Sequence, residues 1–100
     1  MVAFRLYLGT QTRDGVPVSK AALAICYQLV AATWSSFTAY DVTGVWEGSA
    51  ETAIVFESMR VDTPGNRVEA RELARELARQ ALQTCVGLTT VPVMFELVSP

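Results

Sequence analysis

The spacing of apolar residues in this chain switches between two and about 3.6, and the order of those switches narrows the possible folds. Residues 2–8 put Val2, Phe4, Leu6 and Leu8 on one face and Ala3, Arg5 and Tyr7 on the other, which predicts a strand. The loop GTQTRDGVP follows, with Asp14-Gly15 as its turn. Ser19 then stands where a hydroxyl can cap a helix running to about Trp34. Residues 37–46 (FTAYDVTGVW) and 52–60 (TAIVFESMR) are β-branched and aromatic, and predict two strands joined as a hairpin. After DTPGN, Asn66 and Glu69 resemble a capping box. They open a second helix that lines up Ala70, Leu73, Ala74, Leu77, Ala81 and Cys85 on one face. VPVMFELV, residues 91–98, predicts the last strand, with Pro92 near its start.

The order is therefore β-α-β-β-α-β. One hundred residues hold one core and not two, so residues 1–100 are read as a single domain. Right-handed crossovers favour an α+β, ferredoxin-like arrangement: a four-stranded antiparallel sheet in the order 4-1-3-2, with two helices on one face.

If the helices cover Phe4, Leu6, Ile54, Phe56, Val93 and Phe95, the other sheet face carries Arg5, Tyr7, Val55, Glu57, Met59, Met94, Glu96 and Val98. The second strand is expected to add Ala39, Asp41, Thr43 and Val45. Such a face is too apolar to be left to solvent. The outward side of the first helix is apolar as well, whereas the second helix turns Glu69, Arg71, Glu72, Arg75, Glu76 and Arg79 outward. The expected partner is another copy of the chain, in a dimer or trimer, with a different protein as a further partner.

The absence of histidine excludes Ser-His-Asp and Cys-His catalysis and histidine-ligated metals. There is no P-loop and no GxGxxG, so nothing calls for a nucleotide, and no cofactor or metal is expected. Cys26 and Cys85 lack zinc-site spacing and are read as buried apolar residues of a reducing compartment. The apolar stretch 18–34 is interrupted by Lys20 and Gln28 and is shorter than the roughly 20 residues of a membrane span. The N-terminus lacks the layout of a secretory signal. A soluble, cytoplasmic protein without membrane contact is expected. The net charge of −2 argues against nucleic acid as a partner.

Carboxylate, tyrosine and arginine chemistry remains. Arg5, Tyr7, Glu57 and Glu96 are expected together on the outward sheet face, either as a charged pocket or as ion pairs buried by an interface. Trp46, Glu47 and Glu51 mark the hairpin, where a tryptophan can anchor a partner. Thr10, Arg13 and Asp14 sit in a loop that can receive a small anion or serve only as a turn.

The runs LYLGTQTRDGVPVS and FTAYDVTGVWEG, with the glutamate-bearing strand after them, resemble a group of small, largely uncharacterised proteins of bacteria and their phages. The shared marks are Leu8-Gly9, Asp14-Gly15, Phe37-Thr38, Gly44-Val45-Trp46, and Glu51 or Glu57, all within about the first 60 residues. The resemblance implies a ferredoxin-like fold and no particular activity. WEG followed by an acidic residue is also similar to the hairpin of the trimeric CutA and PII-like proteins.

The reading that follows is a non-enzymatic, homo-oligomeric module that binds a protein partner or small ligand. One alternative is a small enzyme of the dimeric α+β-barrel kind, with Glu57 or Glu96 as base and Tyr7 or Arg5 steering substrate. Another is a nucleic-acid binder using the stripe Arg71, Arg75 and Arg79.

Overall fold

A computed structural model describes residues 1–100, the side chain of Trp46 excepted. Its elements are β1 (Val2–Gly9), α1 (Lys20–Thr33), β2 (Thr38–Trp46), β3 (Ser49–Arg60), α2 (Pro64–Gln80) and β4 (Gly87–Pro92). The four strands form one antiparallel sheet in the order β2-β3-β1-β4, the expected order read from the other edge. The inward face of β1 (Val2, Phe4, Leu6, Leu8) joins Ile54 and Phe56 in one core cluster. Cys26, Val30 and Trp34 from the first helical segment, and Ala70, Leu73, Ala74 and Leu77 from α2, complete that cluster.

Local chemistry sets the helix ends. Ser19 Oγ accepts from the Ala22 amide at 3.1 Å, as its position predicted. The cap of α2 lies three residues earlier than the capping-box reading placed it. Thr63 is the N-cap, Pro64 opens the helix, and Asn66 donates its amide to Thr63 Oγ1 at 3.0 Å. Proline is favoured there because a first-turn amide would lack a partner anyway. At the other end, Leu82 takes φ 54°, its amide reaches Arg79 O, and the Gln83 amide reaches Ala78 O. That is a Schellman ending with leucine where glycine is usual.

Three expectations are corrected. The last strand is Gly87–Pro92, not 91–98; past the hydrogen bond from the Val93 amide to Met1 O, residues 94–100 have no strand partner. Phe95 is therefore exposed and outside the core. Cys85 follows the end of α2 and is exposed, whereas Cys26 is buried as expected.

The faces of β2 are also reversed. The β2–β3 turn has only two residues, Glu47 (φ 49°) and Gly48 (φ 80°), with Trp46 paired to Ser49. Both positive angles mark a type I′ turn. This register pairs Tyr40 with Val55 and Thr38 with Glu57, so Thr38, Tyr40 and Val42 take the outward face. Ala39, Asp41, Thr43 and Val45 take the other. Strands at 37–46 and 52–60 imply a turn of residues 47–51 instead, and an odd change in register exchanges the faces of a strand.

Candidate functional site

The outward sheet face is built of rows set by strand pairing. Val91, Ala3 and Met59 form one row. Thr89, Arg5, Glu57 and Thr38 form the next, and Gly87, Tyr7, Val55 and Tyr40 the third. A charged row thus lies between two apolar ones. Val55 is fully covered although no helix lies on this side, and Gly87 lies beside the Tyr7 ring, where an added Cβ would make ordinary contact at 3.5 Å.

Glu57 is the centre of the charged row. Its Oε2 lies 3.3 Å from Arg5 Nε and accepts from the Tyr40 hydroxyl at 2.6 Å. Arg5 Nε is shielded from water yet lacks hydrogen-bond alignment with that oxygen, so this contact is an ion pair. The Glu57 charge holds the Arg5 guanidinium above its ordinary range. The hydrogen bond to Glu57, and then burial, push the Tyr40 phenol up. The Tyr7 hydroxyl lies 3.4 Å from Thr89 Oγ1. Arg5 makes no side-chain hydrogen bond among the described residues, so its terminal nitrogens are free to receive an acid from outside the chain.

Arg5, Tyr7 and Glu57 are thus brought together, and Glu96 is not. It lies in the exposed segment beyond β4, because residues 87–92 take the place beside β1 that 91–98 was expected to fill. Tyr40 supplies the contact that sequence reasoning missed; the two-residue turn at Glu47-Gly48 was the signal that would have found it.

The other candidates are dispersed. Glu47 and Glu51 are exposed at the hairpin; the side chain of Trp46, expected with them, lies outside the described residues. Loop 10–15 closes on itself. The Gly15 amide reaches Thr12 O at 2.9 Å, the Thr12 amide reaches Val16 O, and the Arg13 amide reaches Leu82 O. The Arg13 and Asp14 side chains are exposed and converge on nothing, while Thr10 Oγ1 meets Thr52 Oγ1 at 2.5 Å. Thr10 and Thr52 line a shallow cleft of about 300 Å³ with Asp41, Val42, Thr43 and Ala53. A wider groove between the helices, about 460 Å³, carries Glu69, Glu72 and Glu76. These carboxylates are matched by Arg60, Arg75 and Arg79, and the Arg79 hydrogen bond holds Glu76 below its usual range.

Among the described residues no three His, Cys, Asp or Glu stand close enough to hold a metal, and no helix is long and apolar enough to cross a membrane. No known protein family, curated protein or solved structure matches this chain.

Proposed function

We propose that this chain is a non-enzymatic, self-associating module of ferredoxin-like fold whose outward sheet face meets a second copy. The observation that carries this reading is the composition of that face: the exposed or half-exposed side chains of Met59, Val91, Tyr7 and Tyr40 flank one charge pair. A neutralised pair keeps the desolvation cost of burying such a face low. The accessible surface adds support. The chain exposes 6579 Å² at 10.9 kDa, about 1,000 Å² more than the ~5,600 Å² that surface scaling gives a compact monomer of this mass, much of it on the unpacked residues 94–98. A standard interface covers about 800 Å² per partner.

The surroundings of Glu57 favour binding over catalysis, because its Oε2 is already engaged by the Arg5 guanidinium and the Tyr40 hydroxyl. Nucleic-acid binding is disfavoured by the pairing of Arg75 and Arg79 with neighbouring glutamates. The resemblance to bacterial and phage proteins suits an accessory role, and two free cysteines suit a reducing cytoplasm.

Sedimentation velocity across the micromolar range tests the reading. A dimer or trimer is expected; a species that stays monomeric throughout would overturn it.

A further inference from the structure

Residues 93–98, VMFELV, leave the fold at the end of β4 and expose Met94 at 99%, Leu97 at 86%, Val98 at 81% and Phe95 at 53%. Four large apolar side chains within five residues are left largely in water, Phe95 about half covered, a state that invites a partner. In an extended chain Met94, Glu96 and Val98 share one side, spaced about 6.8 Å apart. The outward sheet face repeats at the same interval: the row of Ala3 and Met59, then Arg5 and Glu57, then Tyr7 and Val55. Both patterns read apolar, charged, apolar.

Glu57 already faces Arg5 Nε, and Glu96 would meet the terminal nitrogens of Arg5 as a second carboxylate. Glu96 is the one charged residue between positions 80 and 100. Arg5 is the one cation in the three rows, and its terminal nitrogens have no hydrogen-bond acceptor among the described residues.

We infer that residues 93–98 cross to a second copy and lie on its outward sheet face, Glu96 against that copy's Arg5 and Met94 and Val98 on the apolar rows to either side. This rests on the self-association proposed above and names the segment that makes it. A second copy is favoured over the chain's own face by the turn chemistry. To fold back, the chain must reverse just after Val93, and residues 93–98 contain no Gly, Asn or Asp to supply that reversal. In a two-fold pair both segments exchange, so each subunit gives one Glu96 and receives one at Arg5.

The test compares the full chain with a chain ending at Val93, which keeps the hydrogen bond to Met1 O, and with Arg5→Glu, Glu96→Arg and the double variant, by sedimentation equilibrium. Truncation removes only residues outside the sheet, so thermal unfolding of the monomer should be unchanged while self-association weakens roughly a hundredfold. Each single charge reversal should weaken association about tenfold, and the double variant should regain most of that loss. An isotope-filtered experiment on mixed labelled and unlabelled chains covers the case that Arg5→Glu does not fold. It should show the Met94 methyl of one chain near the Tyr7 or Val55 side chains of another. A truncated chain that associates as tightly as the full one overturns the segment's role and leaves self-association standing. A double variant no better than the sum of its parts, or contacts within one chain only, overturns the placement of Glu96. A full chain that stays monomeric removes both readings.

Discussion

Two adjacent six-residue stretches behave in opposite ways. Residues 87–92, GLTTVP, begin with glycine and end with proline, and they form β4. Residues 93–98, VMFELV, hold five apolar residues of six and form no strand within the chain. Strand propensity favours the second stretch, yet position decides for the first. Strand propensity chiefly records how well a side chain fits a half-buried pleated surface, so it has no effect where no neighbouring strand is on offer. β1 offers its free edge to whatever leaves the end of α2, and Gly87 is the residue that arrives opposite Tyr7. By Pro92 the chain is already opposite Val2, and β1 has no more edge to give.

The contrast is broken most severely by placing one charge in each stretch. Leu88 faces inward opposite Leu6 and packs on the core, so Leu88→Asp should cost about 3 kcal/mol through lost burial and a poorly hydrated carboxylate. Leu97→Asp should change the stability of the dilute chain by about 0.5 kcal/mol at most, since the leucine is exposed. Urea unfolding measures both. Equal losses would mean that residues 93–98 are packed within the single chain.

What delivers residue 87 to the correct place is a side chain. Gln83 accepts from the Gly9 amide at 3.2 Å and donates to the carbonyls of Gly9 (2.5 Å) and Gln11 (3.1 Å). It therefore ties the exit of α2 to the end of β1, four residues before β4 starts. With about 1 kcal/mol net for a typical hydrogen bond and some replacement by water, Gln83→Ala should cost about 2 kcal/mol. Amide exchange should rise first in β4. Protection that falls evenly over the whole sheet would show that the clamp adds stability without placing the strand.

These two regions also show which parts of the fold local sequence can reveal. β1, the Ser19 cap and the apolar face of α2 are written in residues close to one another, through alternation, a hydroxyl and a helical repeat. The position of β4 is not, because it depends on a glutamine reaching a strand more than seventy positions away. The charged row was half legible: alternation alone put Arg5 and Glu57 on one face. Glu96 was misplaced with the strand it was assigned to. Tyr40 was missed through a single misjudged turn, since Glu47-Gly48 as a two-residue loop fixes which residues of β2 face Glu57. Local patterns specify faces, and turns and distant clamps specify which faces meet.

The smallest effect concerns the reversal between α2 and Gln83. Leu82 holds φ 54°, a conformation in which the Cβ of an L-residue crowds its own backbone and which glycine adopts freely. Its side chain is about half exposed, so little packing is lost by removing it. Relief of the strained backbone should outweigh the added flexibility of glycine in the unfolded chain. Leu82→Gly should thus stabilise the fold by about 0.5 kcal/mol in urea unfolding. The amide and carbonyl at this position stay in place, including the acceptance of the Arg13 amide by the residue-82 carbonyl. Loop 10–15 should therefore keep its protection against exchange. A net loss of stability would mean that the leucine side chain, rather than the backbone turn, directs the chain toward Gln83 and so decides which of the two stretches becomes the strand.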